Sequence, residues 1–285
     1  MRDVAEALGM QASYSELEDP DWDIYFLDGP IVPTFLFKLQ TYQRVNHFVG
    51  INVLARKNLL ARNLQAMQRI NPDEYNFFPP TWILPQDAKD FKAQFNQKKA
   101  KTFIVKPEAS CQGKGIFLTR TYEWMTSMNE HYVAQRYLHK PYLIAGLKFD
   151  LRIYVLITGV NPLRAFITKE GLARFATEKY ESPMGNNLCN MMMHLTNYAI
   201  NKDSCDFIFN NDPNKDDIGH KRSLRSILKH FDDRRRYCRE GDWIPPSSEE
   251  IWQSIKDVIL KTMLTAQPSL AHVYRTSKPD DFENS

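Results

Sequence analysis

With 285 residues, of which 43% are hydrophobic and 25% charged, the chain has the composition of an ordinary globular protein large enough to bury a substantial core. A net charge of only +3 and a pI near 8.5, with basic residues scattered among acids, argue against nucleic acid as a partner. No apolar run approaches the roughly 18 residues of a membrane helix, Met1-Arg2-Asp3-Val4 opens nothing like a signal peptide, and Cys111, Cys189, Cys205 and Cys238 lack paired C-x-x-C spacing, so neither zinc nor a disulfide framework is expected and a reduced intracellular compartment is.

Residues 22–27 read as a short strand rich in β-formers. Residues 53–70 read as an amphipathic helix, because Leu60, Leu64 and Met67 share a face that Arg56, Arg62 and Arg69 avoid. Pro72 ends it, and Phe77-Phe78-Pro79-Pro80 is a hinge. Strands are predicted over 81–84, 102–105, 132–135 and 149–157, with a helix over 87–95 capped by Asp87. Residues 203–221, broken by Pro213 and Gly219, read as a mobile surface loop. Arg234-Arg235-Arg236 follows Asp232-Asp233, a self-paired solvated face, with a groove for an acidic peptide as the alternative. Ser247 or Ser248 with Glu249-Glu250 opens a helix carrying Ile251, Ile255, Val258, Ile259 and Met263. The pattern is mixed α and β with at least one largely antiparallel sheet.

Four places carry candidate chemistry. Gly113 and Gly115 flank Lys114, so backbone N–H groups between Gln112 and Ile116 can approach a polyphosphate. The stretch is neither a Walker loop nor a Rossmann fingerprint, and a plain hairpin turn is the alternative. Lys106 follows Phe103-Ile104-Val105 at a strand end stopped by Pro107, placing a point charge beside that loop, unless it is a plain surface lysine. In residues 149–157 the residues Phe149, Leu151, Ile153, Val155 and Ile157 take the core face, leaving Lys148, Asp150 and Arg152 as a polar cleft floor or a solvent-facing edge with a cross-strand ion pair. Arg174, inside Gly171-Leu172-Ala173-Arg174-Phe175-Ala176, needs an anion: a ligand carboxylate, or an internal partner such as Glu170 or Glu178. His194, after three methionines that read as packing, is expected to be a hydrogen-bonded core histidine.

Leu59-Leu60-Ala61-Arg62-Asn63, residues 106–117, Gln135-Arg136-Tyr137-Leu138 with its continuation to Pro141, residues 148–156, residues 170–177, and His194-Leu195-Thr196-Asn197 through Lys202 follow one another in fixed order. In that order they resemble the tubulin–tyrosine-ligase-like family, most of all its tubulin glutamylase branch, from about residue 22 to 274. The resemblance implies an α+β, ATP-grasp-like fold with ATP between two antiparallel sheets. Its parts would be a small N-terminal domain (1–80), a central subdomain (81–135) and an incomplete C-terminal subdomain (136–285). It also implies two-step ligation. The γ-phosphate of ATP passes to a glutamate side chain of a tubulin tail, giving an acyl phosphate, and the amine of free L-glutamate displaces phosphate to form an isopeptide bond.

Carried over by position, Lys106, Lys148, Asp150 and Arg152 would serve catalysis. Lys106 and Gln112, Gly113, Lys114, Gly115 and Ile116 would contact the phosphates. Gln135, Arg136, Tyr137 and Leu138 would form the adenine hinge through backbone groups. Lys148, Phe149 and Asp150 would line the ribose and phosphate side, and Thr196 and Asn197 would close over the nucleotide. Arg174, with Tyr198 and Lys202, would take the incoming amino acid; Ala199 stands where many glutamylases have serine. Implied cofactors are ATP and Mg2+. Implied partners are the acidic C-terminal tails of tubulin or microtubules and free L-glutamate, in the cytoplasm and cytoskeleton, with the ciliary axoneme or basal body as a candidate location. The family continues into a strand pair whose aspartate, glutamate and asparagine hold magnesium. Here Lys278-Pro279-Asp280-Asp281-Phe282-Glu283-Asn284-Ser285 offers only adjacent Glu283-Asn284, so no metal ligand is assigned and this form is expected to be incomplete and inactive. The alternative is a non-catalytic tubulin-tail-binding protein.

Overall fold

A computed structural model describes residues 1–13, 21–96, 99–108, 110, 112–127, 130–212 and 214–277. Cys111, Pro213 and the closing residues 278–285, including Glu283-Asn284, lie outside the described residues. The chain divides into two units, Met1–Ile51 with Leu270–Ser285, and Asn52–Ser269. Residues 81–135 and 136–269 lie in the second unit.

The first unit holds α1 (Arg2–Ala7), β1 (Ile24–Tyr25), α2 (Pro33–Leu36) and β2 (Arg44–Val45), the two strands pairing in parallel. Ile31, Leu36 and Val49 form its core with Val273 and Tyr274. The strand expected over 22–27 shortens to two residues because the Asn46 amide takes both backbone groups of Leu27: its Oδ1 accepts the N–H at 2.9 Å and its Nδ2 donates to the carbonyl at 2.8 Å.

In the second unit the predicted helix over 53–70 is two helices, α3 (Asn52–Ala55) and α4 (Lys57–Ile70). Arg56 separates them with extended backbone, φ −83° and ψ 125°. Ala61 and Leu64 are buried, while Arg56, Arg62 and Arg69 are exposed, as their spacing predicts. Next come β3 (Thr81–Leu84), α5 (Ala88–Ala93), β4 (Phe103–Pro107), β5 (Phe117–Thr119) and β6 (Tyr132–Arg136). They build an antiparallel sheet in the order β3-β6-β4-β5. Alternation along β4 sends Phe103 and Val105 into a core with Leu84, Phe91 and Ala134, so Lys106 takes the opposite face. Asp87 precedes α5 but does not cap it; its carboxylate accepts the Ile83 N–H at 2.7 Å instead.

The remaining elements are β7 (Leu143–Ile144), β8 (Leu147–Arg152), β9 (Val155–Val160), β10 (Leu163–Ile167), β11 (Leu172–Lys179), α6 (Met191–His194), α7 (Tyr198–Asn201), β12 (Lys221–Ser223), α8 (Leu224–Arg236) and α9 (Ser248–Ser277). A second antiparallel sheet runs β12-β11-β8-β7. One of its faces packs Ile144, Ala173, Phe175, Phe149 and Leu151 against Ile227 and Phe231 of α8. The strand expected over 149–157 breaks after Arg152. β9 leaves the sheet and pairs with β10 in a separate hairpin, so Ile153, Val155 and Ile157 do not continue the face of Phe149 and Leu151. The chain crosses itself at the break: a Cβ on Gly171 would lie 2.7 Å from the Arg152 carbonyl oxygen.

Between α7 and β12 the described residues form no helix or strand, but the segment has a buried anchor. His220 accepts the Ile208 N–H at Nδ1 (2.9 Å) and stacks on Phe207. Ser247 and Glu250 exchange bonds at the start of α9, the Ser247 N–H to Glu250 Oε2 at 2.7 Å and the Glu250 N–H to Ser247 Oγ at 3.2 Å, the capping box the sequence suggests. Val258, however, is exposed rather than packed. The basic run pairs only partly with its neighbouring acids. Arg236 meets Asp233 at 3.6 Å, Arg235 reaches Glu250 at 3.0 Å, and Asp232 accepts the Ser248 N–H. No helix among the described residues is long and apolar enough to cross a membrane.

Candidate active site

Lys106 stands at the end of β4, on the face opposite the aromatic core. Its Nζ donates to Gln135 Oε1 at 2.5 Å, and Gln135 Nε2 donates to Thr81 Oγ1 at 3.0 Å, a polar line across three strands. Burial, then the charge of Lys57, holds the Lys106 ammonium below its ordinary pKa. Lys57 opens α4 and donates from Nζ to the carbonyls of Pro107 (3.1 Å) and Ser110 (2.5 Å). Beside it, Asn58 donates to Glu108 Oε1 at 2.7 Å, and His131 approaches the other Glu108 oxygen at 3.4 Å. α4 thus grips the entry to the glycine loop through two residues that sequence reasoning missed. Only their place just before the Leu59–Asn63 phrase hints at it.

The loop needs its glycines. Gln112, Gly113 and Gly115 have φ of 59°, 91° and 68°. A Cβ on Gly113 would lie 2.6 Å from Ile200 Cδ1 and 3.2 Å from Asn197 Cγ, and one on Gly115 would lie 2.9 Å from Pro107 Cγ. This close approach brings Asn197, at the start of α7, against the loop, with Thr196 preceding it. Lys114 is exposed, and its carbonyl accepts from Ser110 Oγ at 2.8 Å. Ile116 closes the turn through its N–H on the Gly113 carbonyl.

On the second sheet Lys148, Asp150 and Arg152 occupy the face away from α8, as alternation predicts. Arg152 is exposed at its end. Register places Asp150 opposite Arg174, and Arg174 opposite Lys221. The Arg174 guanidinium grips Asp150 bidentately, Nε to Oδ1 at 3.0 Å and Nη2 to Oδ2 at 2.5 Å. Its internal partner is therefore neither Glu170, which pairs with Arg225, nor Glu178, which accepts from Asn190. Lys221 sits 3.6 Å above the Tyr198 ring. Lys202, the lysine singled out by sequence, is an exposed residue ending α7. Lys221 escaped notice because strand register, not spacing along the chain, brings it to Arg174.

Lys148 joins the two sheets. Its Nζ donates to the Tyr137 hydroxyl at 3.0 Å and to the His194 carbonyl at 2.7 Å. Burial foremost, then Lys106, lowers its pKa to about 8, with Asp150 opposing. Two half-buried ammonium groups, Lys106 pressed by Lys57 and Lys148 by Lys106, make a seat for a polyanion. The N–H groups of Arg136 and Tyr137 are taken by the carbonyls of Pro80 and Thr102, at 2.9 and 3.0 Å. Arg136 lies over the Phe103 ring, and the Leu138 side chain is exposed just beyond. His194 is fully buried and hydrogen-bonded through both ring nitrogens, and Met193 packs in the interior. Among the described residues no group of three or more His, Cys, Asp or Glu side chains comes together to hold a metal ion.

The profile described as "Tubulin-tyrosine ligase family" matches residues 36–283. The chain is 51% identical over 272 residues to a "Probable beta-tubulin polyglutamylase" of Tetrahymena thermophila, covering 95% of this chain and 22% of that protein. It is 45% identical over 262 residues to "Tubulin polyglutamylase TTLL13" of Mus musculus, covering 92% of this chain and 31% of the relative. To "Tubulin polyglutamylase TTLL6" of Homo sapiens it is 42% identical over 268 residues, 94% of this chain and 28% of the relative. The chain thus spans between 22% and 31% of the length of these relatives.

Proposed function

The chain belongs to the tubulin-tyrosine ligase family, and from that premise we propose that it carries the nucleotide and amino-acid sites of an ATP-dependent ligase that adds glutamate to glutamate side chains of tubulin tails. The observation that carries this reading is the pairing of half-buried Lys106 and Lys148, on the non-core faces of two antiparallel sheets, with a glycine loop that has no room for a Cβ. That arrangement suits a triphosphate. In this reading the two sheets are the halves of an ATP-grasp, with residues 81–135 and 136–285 as its subdomains and the segment Gln135 to Leu138 as the hinge beside the base.

Phosphoryl transfer depends on positioning and on charge stabilisation. Lys106, Lys148 and Lys57 would neutralise the phosphates, Gln112 to Ile116 would offer backbone N–H groups, and Thr196 and Asn197 would flank the nucleotide. Phe149 and Asp150 would line the ribose side, with Arg152 at the outer end of the same face. Arg174 would take the carboxylate of free L-glutamate, flanked by Tyr198 and by Lys221 in cross-strand register. The relatives' names point to tubulin as the acceptor, and so to the cytoskeleton as the place of work. Mg2+ accompanies ATP in this proposal. Glu108 and Asp150, the carboxylates on these segments, are engaged by Asn58 and Arg174, so they make no ready metal cage.

The test is calorimetric titration of the chain with ATP. Saturable binding that Lys106→Ala weakens by at least about tenfold supports the nucleotide site; equal affinity in both proteins removes it. Transfer of labelled glutamate to tubulin would exclude the non-catalytic tail-binding reading.

A further inference from the structure

Lys148 is held by a buried group that the ligation reading leaves unused. The Tyr137 hydroxyl lies 3.0 Å from His194 Nδ1, and His194 Nε2 lies 3.1 Å from the Asn187 carbonyl. A carbonyl only accepts, so Nε2 carries the proton. In a neutral ring Nδ1 is then an acceptor, and the Tyr137 O–H must donate to it. The tyrosine oxygen keeps its lone pairs for the Lys148 ammonium, which also reaches the His194 carbonyl. Tyr180 also lies against the Tyr137 hydroxyl, but its own O–H is committed to the His139 carbonyl, and both bonds from Lys148 end on the tyrosine–histidine pair.

We propose, on the nucleotide-site reading above, that Tyr137 and His194 are positioning residues whose hydrogen-bond chain of fixed polarity, anchored on the Asn187 carbonyl, holds the Lys148 ammonium beside Lys106 ready for phosphate. Protonation of His194 would reverse the chain, because Nδ1–H would then compete with the tyrosine's own proton. The surroundings oppose that protonation. Burial, and after it the Lys148 charge, holds the imidazole below its usual pKa, against the contrary pull of the Asn187 bond. The groups facing this pair are Lys148 and, through it, Lys106 and Asp150, together with the Tyr180 ring 5.8 Å from His194, whose hydroxyl donates to the His139 carbonyl.

ATP affinity measured from pH 6.5 to 9 tests the proposal. In the unsubstituted chain, affinity should fall as pH rises through about 8, where Lys148 loses its proton. Lys148→Ala should bind weakly and without that limb. Tyr137→Phe removes one acceptor from the charged amine, so the limb should move to lower pH by about one unit. An unmoved limb, or a loss uniform across the range as a purely structural defect would give, overturns the positioning role. Should Lys148→Ala bind ATP as well as the parent, the nucleotide-site reading itself fails. Nitrogen-15 NMR of the unsubstituted chain tests the polarity without any variant. A neutral His194 with its proton on Nε2 between pH 6 and 8 is expected; an Nδ1 proton, or an ordinary titration near 6.5, contradicts it.

Discussion

Asp150 takes Nε and Nη2 of the Arg174 guanidinium, so in the proposed site an incoming amino-acid carboxylate must share the group through Nη1 or displace that partner. Arg174→Ala should therefore reduce use of free glutamate roughly a hundredfold while ATP affinity changes much less, and Arg174→Lys should not rescue it, because a point charge cannot replace a planar fork. Equal losses for glutamate and ATP, measured by titration of each, would make Arg174 a structural ion-pair residue. In a longer form of the chain that ligates, Asp150→Ala should abolish ligation, and turnover at the parent rate would remove Asp150 from the site. The places of Lys148 and Asp150 were legible because strand alternation puts them on a face away from the core, and that of Lys106 because it follows an apolar strand stopped by Pro107. Lys221 and Lys57 were not. Each depends on an approach between segments far apart in the chain, and a lysine looks the same wherever register carries it.

Among the elements, the glycine loop makes the sharpest demand. Gly113→Ala requires a side chain at φ 91° and 2.6 Å from Ile200 Cδ1, so it should displace the loop from Asn197 and weaken ATP binding by more than about tenfold. Gly29→Ala, with nothing within 4 Å of the added carbon, is the matched control and should bind ATP unchanged. Equal affinity in the two variants, by the same titration, would show that the loop does not touch the nucleotide. The loop's glycines could be read from sequence, but the breaks in two long elements could not. The 53–70 helix stops at extended Arg56, and the 149–157 strand divides where the chain crosses Gly171. Neither is marked by proline or by a change in hydrophobic period, because in both cases tertiary contact overrides a continuous local pattern.

At the scale of the molecule, the Lys106 face of the first sheet stands on an aromatic core. Phe91 is fully buried and packs edge-on against Phe103 and Phe95, at 5.0 and 5.1 Å between ring centroids. Phe91→Ala should lower stability by about 3–5 kcal/mol in urea unfolding; a change under about 1 kcal/mol would mean that this sheet does not rest on that cluster. The return of residues 270–277 to the first unit was not legible, since no composition shift announces it. In the proposed site one polyanion lies between Lys106 and Lys148. The most direct test is amine-selective labelling of the chain, read by mass spectrometry with and without ATP. The account predicts that ATP protects Lys106 and Lys148 together while exposed Lys229 of α8 labels equally in both samples; undiminished labelling of Lys106 and Lys148 at saturating ATP would contradict it.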